Sequence, residues 1–223
     1  MLGPMETSEA PEPQTAVTYN EIAAERSLER IGAISDGLFA IAMTIIVLEI
    51  RVPAGEHSND AVAVALVDLA PRFLTYVLSF LTLGIFWNAQ HTQLNYIARA
   101  DRHFAWLQLA YLAVVALLPF STSLLAEFID VDLAFGVYWI NLLALGVMLY
   151  VVWVYAERAG LASPAVTPDI SRALKRRIVN YQALYFLGFL LSLPFGTIPG
   201  IVFVVLVQLN SAIAPRLPIL SRL

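Results

Sequence analysis

The sequence predicts an all-α polytopic membrane protein with six transmembrane helices per subunit. Three observations carry that reading. Hydrophobic residues make up 59% of the chain and charged residues only 13%, about half the ~25% charged share of a soluble domain. The mean hydropathy is +0.74. The third is a series of long apolar runs divided by short polar, Pro- or Gly-containing breaks. Each full-length run can cross a hydrocarbon core of about 30 Å at about 1.5 Å of rise per residue.

The same composition excludes several kinds of function. With no cysteine there is no disulfide, thiolate metal site or Cys nucleophile. A net charge of −4 gives no support for nucleic-acid binding. No nucleotide-binding loop, metal cluster or catalytic triad is evident, so neither an enzyme, a cofactor nor a metal site is expected.

Residues 1–29 form a polar segment without a basic region followed by an apolar core, so it is not a signal peptide. Met1–Thr18 is expected to be a disordered tail and Tyr19–Glu29 a short helix leading into the first span. The chain is organised around the run from Ile31 to Ile50, which carries Asp36 one and a half turns inside its start. An ionisable group there is costly unless it faces protein or water, which makes it a functional-site candidate.

On a helical wheel at about 100° per residue, Ile34, Gly37, Ile41, Thr44, Ile45 and Leu48 share one stripe. Asp36 lies about 140° from Ile41 on that wheel. If the stripe faces a pore, Asp36 faces neighbouring helices and acts as a buried bracket. The competing role is a proton relay through Asp36 and His91.

The next stretch, Arg51–Asp60, is a loop broken by Pro53 and Gly55, and Val62–Leu69 is a short surface helix. The second span is expected over Phe73–Gln90 and the third over Phe104–Leu125, with Pro119 kinking its far part. The fourth covers Leu133–Tyr155, with Tyr138 and Trp139 near one end and Tyr150, Trp153 and Tyr155 near the other as interfacial belts. Ile178–Leu193 and Ile201–Ile213 are short for full spans, with Pro194–Gly200 as a tight turn between them. The alternative is one kinked span over Leu187–Leu209 preceded by an interfacial helix.

Basic residues favour six spans. That arrangement puts Arg26, Arg30, Arg99, Arg102, Arg158, Arg172, Lys175, Arg176, Arg177, Arg216 and Arg222 on one side, against Arg51 and Arg72 on the other. By the positive-inside rule both termini are then cytoplasmic. The organisation is a cytoplasmic tail over 1–29, a transmembrane domain over 30–213 and a second tail over 214–223. Arg172–Arg177 reads as a topological anchor near anionic lipid.

The polar set is Arg30, Ser35, Asp36, Trp87, Asn88 and His91. Trp87 and His91 share a helix face, with Gly84 one turn earlier allowing a close helix approach. Thr44 has two readings. Its hydroxyl can replace part of an ion's hydration shell, or it can bond back to the Ala40 carbonyl. No carbonyl filter loop of the Thr-Val-Gly-Tyr-Gly kind occurs, so any ion selectivity must come from side chains of the first helix.

The pattern Arg30-x-x-x-Ile34-Ser35-Asp36, followed by Ala40-Ile41-x-x-Thr44-x-x-x-Leu48-Glu49-Ile50, resembles the first-helix signature of the transmembrane protein 175 family. Trp87-Asn88-x-x-His91 is a second partial match and Pro119-Phe120-Ser121-Thr122 a weaker one. The family pattern has Phe where Ile34 stands. The family's members are endosomal/lysosomal and prokaryotic potassium channels, and the resemblance implies a potassium-selective channel.

It further implies that the first helices of several subunits surround a pore, with Ile41 as the narrowest apolar ring and Ile45 and Leu48 as further layers. Such a ring can gate by dewetting. The resemblance also suggests that Ser35 and Asp36 hydrogen-bond to the Trp87 face of the second helix. It points to a homotetramer in a lipid bilayer, in the prokaryotic form and in a plasma membrane. The rival from the residues alone is a proton-coupled secondary transporter or proton carrier using Asp36 and His91.

Overall fold

A computed structural model describes residues 19–52 and 57–213 of the chain. The expectations for Met1–Thr18, for Pro53 and Gly55, and for the tail carrying Arg216 and Arg222 lie outside the described residues. All regular structure among those described is helical: α1 Tyr19–Ile45, a 3-10 turn Ile46–Glu49, α2 Asn59–Asp68, α3 Ala70–Leu94, α4 Arg102–Ala116, α5 Leu118–Glu127, α6 Asp132–Arg158, α7 Pro168–Phe195 and α8 Thr197–Ile213.

Five stretches are long and apolar enough to cross a membrane: Ser27–Glu49, Ala70–Leu94, Arg102–Glu127, Asp132–Arg158 and Pro168–Phe195. They make the chain an integral membrane protein. The sixth apolar helix is shorter, and α8 with its 17 residues sits at the low end of the ~17–25 residues a span needs.

Local chemistry explains the helix boundaries. Ser58, Asp101 and Thr167 accept hydrogen bonds from the backbone N–H of Ala61, Phe104 and Ile170, capping α2, α4 and α7. Pro168 follows its cap at a position where a missing N–H costs nothing. The third span is broken at Leu117 rather than bent through its far part, because Pro119 falls in the first turn of α5 and denies α4 a continuing donor. Tyr19–Glu29 is not a separate helix, for α1 runs from Tyr19 without a break.

At the other end of the chain, α7 and α8 form a tight hairpin rather than one kinked span. The turn is made at Gly196, whose φ of 88° favours glycine. A Cβ placed on Gly200 would lie 2.6 Å from the Gly188 carbonyl oxygen, so the two helices approach backbone to backbone.

α6 packs against α4, α5 and α7, α8 fills the gap between α3 and α7, and α1 rests on α3 and α4. Two residues expected in interfacial belts are core residues instead. Trp153 is fully buried and donates to Ser171 Oγ. Tyr138 is fully buried beside Ser79 and Thr82, with Thr122 and Gln208 extending the same hydrogen-bonded cluster. Aromatic content identified the helix, but the polar atoms of Trp153 and Tyr138 found partners inside the bundle, while Trp139 stacks on Phe189. Tyr150 remains exposed, and Tyr155 donates to Asp101.

Candidate pore helix and the polar bracket that orients it

α1 divides sharply into two faces. Ser35, Phe39, Ala42 and Ile46 are buried against α3 and α4, at spacings of three and four. On the opposite face Ile34, Gly37, Ala40, Ile41, Thr44, Ile45 and Leu48 are exposed. Ile41 is 57% exposed and Leu48 67%, so no other helix of the protomer covers them. Ile34, standing where the family pattern has Phe, belongs to this uncovered stripe rather than to the packed face.

The packed face is held by a chain of polar side chains across three helices. Trp87 Nε1 donates to Asp36 Oδ1 at 2.7 Å. Gln90 Nε2 donates to Ser35 Oγ at 3.0 Å and to Gln108 Oε1 at 2.8 Å, joining α1 to α3 and α3 to α4. Ser35 Oγ in turn donates a hydrogen bond to the Ile31 carbonyl at 2.8 Å. Gln90 and Gln108 are buried and were not anticipated from the sequence. The signal was available: Gln90 lies three residues after Trp87, and a buried amide offers both a donor and an acceptor.

The other members of the anticipated polar set stand differently. Asp36 is exposed in the protomer, so its bracket lies at the edge of the bundle and not in its interior. The helix wheel placed Asp36 away from Ile41, but α3 covers only the Ser35 side of it. His91 stacks on Trp87 with ring centroids 5.8 Å apart. Asn88 is exposed, and its backbone carbonyl accepts from Thr92. Arg30 is exposed and has no hydrogen bond or ion pair among the described residues. Gly84 gives no close approach within the protomer, since nothing lies within 4 Å of a Cβ placed there.

Thr44 Oγ1 donates to the Ile41 carbonyl at 2.8 Å, three residues back rather than the four expected. This orients the hydroxyl oxygen while leaving its lone pairs available. Asp36 and His91 together line a cleft of about 410 Å³ between α1 and the end of α3, with Glu29 at its edge. Among the described residues no three His, Asp or Glu side chains are grouped so as to hold a metal ion.

Comparisons with known proteins point to one family. A family model described as endosomal/lysosomal potassium channel TMEM175 matches residues 30–119. A Streptomyces collinus protein named as a potassium channel is 37% identical over 153 residues, covering 66% of this chain and 74% of its own. The human protein named endosomal/lysosomal proton channel TMEM175 is 37% identical over 100 residues, which is 42% of this chain and 20% of that protein. The crystal structure of a lysosomal potassium-selective channel TMEM175 homolog from Chamaesiphon minutus matches with a TM-score of 0.70 and 27% identity, covering 85% of this chain and 98% of the other.

Proposed function

The chain belongs to the TMEM175 family, and from that premise we propose that it is one subunit of a homo-oligomeric, potassium-selective channel whose pore is lined by the exposed stripe of α1. The observation that carries this reading is the uncovered face of that helix. A stripe with Ile41, Ile45 and Leu48 outward, and one hydroxyl at Thr44 between them, has no partner in its own protomer. One such helix cannot enclose a pore, and closed cyclic symmetry is the default for an assembly that must. We take the assembly to be a tetramer.

In that assembly Ile41 forms the narrowest ring, with Ile45 and Leu48 as layers toward the Glu49 end. A narrow bore lined by branched aliphatic side chains holds no continuous water column, so it can close to ions without being physically blocked. Thr44, its proton engaged on the Ile41 carbonyl, offers oxygen lone pairs to a partly dehydrated cation. The Arg30 end faces the cytoplasm of a prokaryotic cell, in keeping with the distribution of basic residues.

A second reading has its own support. The human relative is named a proton channel, and here Asp36 and His91 line one cleft. In that reading this pair carries protons past the stripe, and the apolar ring excludes metal cations.

Potassium flux from liposomes containing the purified protein separates the two. On the pore reading the wild type conducts, Ile41→Asn raises flux or relaxes selectivity, and Asp36→Asn mainly weakens stable assembly. If Ile41→Asn changes nothing while well-folded Asp36→Asn loses proton movement, the carrier reading replaces it.

A further inference from the structure

The last turn of the pore helix is wound differently from the rest. α1 is α-helical to Ile45, and Ile46–Glu49 tighten into a 3-10 turn. In a 3-10 turn residues three apart eclipse, which sets Leu48 directly over Ile45 and Glu49 over Ile46. Exposure follows that pairing: Ile45 and Leu48 are open, Ile46 is fully buried and Glu49 is half-buried. Continued α winding would turn Leu48 about 60° away from the Ile45 line.

The winding is held from outside, at Glu49. Its carboxylate Oε2 accepts from Ser123 Oγ of α5 at 2.8 Å. Its backbone carbonyl accepts from Arg72 Nη1 of α3 at 3.3 Å and from the Arg51 N–H at 3.0 Å. Arg72 is itself tethered, with Nη2 2.7 Å from Glu127 Oε2 of α5. One residue is thus gripped by both side chain and main chain, from two helices that do not belong to the exposed stripe.

We propose that Arg72, Ser123 and Glu127 are positioning residues of the channel: by fixing Glu49 they keep the 3-10 turn wound and so aim Leu48 into the pore above Ile45. This rests on the pore reading given above. Loss of the clamp lets the turn relax toward α geometry, and Leu48 then leaves the lining while Ile45, one turn below, stays.

The chain has no cysteine, so Leu48→Cys and Ile45→Cys can each be the only thiol in the protein. Both are reconstituted in liposomes, and block of potassium flux by a charged thiol reagent is timed, with and without Arg72→Gln or Ser123→Ala. The expected result is about a tenfold slower block at position 48, an unchanged rate at position 45, and recovery at position 48 with Arg72→Lys. Equal changes at both positions, or none at either, would overturn the clamp. Should Arg72→Gln fail to assemble, Glu127→Gln leaves Arg72 in place but untethered, and about a threefold slowing at position 48 alone is expected. If the reagent blocks flux at neither position in the otherwise unaltered protein, the pore reading falls and takes the clamp with it.

Discussion

The indole of Trp87 donates to Asp36 at 2.7 Å while, three residues further along α3, Gln90 donates to Ser35, the neighbour of Asp36. Two adjacent residues on α1 are therefore tied to one face of α3. Adjacent residues on a helix point about 100° apart, so both bonds can be made at only one rotation of α1 about its axis. That rotation determines which stripe remains uncovered. The bracket acts on the pore lining indirectly, by fixing the angle of the helix that supplies it.

Trp87→Phe keeps a ring to stack on His91 but removes the donor to Asp36. A hydrogen bond to a charged group contributes about 1.5–3 kcal/mol, and the half-exposed setting puts this one near the lower bound. The variant should lose assembled protein at a lower temperature than the wild type, as followed by size-exclusion chromatography after heating in detergent. Asp36→Asn retains an oxygen acceptor and should lose less. A Trp87→Phe protein as heat-resistant as the wild type would show that the bond does not hold α1.

Gln90 serves two partners, and its replacement should reveal that. Gln90→Leu leaves Gln108, already without a partner for its Nε2, with no partner for Oε1 either, a penalty of about 1–3 kcal/mol for a buried group. The double variant Gln90→Leu/Gln108→Leu removes both polar groups from the α3–α4 seam and should be more stable than Gln90→Leu alone. Thermal melts of the two single variants and the pair measure the coupling. Strict additivity would mean that the two amides do not act as a unit.

The helices of this fold were legible because long apolar runs separated by Pro, Gly and charge are a strong one-dimensional signal. The first helix was legible in more detail, since its stripe of Ile41, Ile45 and Leu48 emerges from angular spacing alone. Partner choice was not. Nothing about Gln90 or Gln108 in sequence says that they meet, because that contact is made between separate helices by packing. Tyr138 and Trp153 looked like interfacial aromatics for the same reason: a ring near a span's end is an anchor or a core group depending on which helix lies beside it. The 3-10 turn at Ile46–Glu49 had no local signal either, since Arg72 and Ser123, which hold it, are far away along the chain.

Glycines separate close contact within the subunit from contact between subunits. Gly200→Ala should disrupt the α7–α8 hairpin, because the nearest atom to the new methyl group is the Gly188 carbonyl oxygen, a backbone atom that cannot rotate aside. A loss of about 1–3 kcal/mol is expected, visible as lower yield and melting temperature. Gly84 has free space around it in the protomer, so Gly84→Ala should leave the fold intact and stabilise α3 by up to about 1 kcal/mol. If Gly84→Ala instead yields well-folded single subunits, another copy packs over that position.

Asp101 links the start of α4 to the end of α6 through Oδ1 to the Phe104 N–H and Oδ2 to the Tyr155 hydroxyl, each at 2.7 Å. Burial pushes its carboxyl upward, but the Phe104 N–H, the Tyr155 hydroxyl and the charge on His103 together outweigh that and hold it below the ordinary 3.8. A carboxylate whose value is lower in the folded state stabilises fully above the unfolded value, and that contribution is lost as pH falls through the folded one. Asp101→Ala should therefore cost about 1 kcal/mol as a lost helix cap near neutral pH. The melting-temperature gap to the wild type should hold steady from pH 7 to 5 and narrow below about pH 4 as the wild-type carboxylate is protonated. A gap that narrows already between pH 7 and 5 would assign the effect to a group other than Asp101, and one unchanged at pH 3 would show that the charge on Asp101 contributes nothing to the cap.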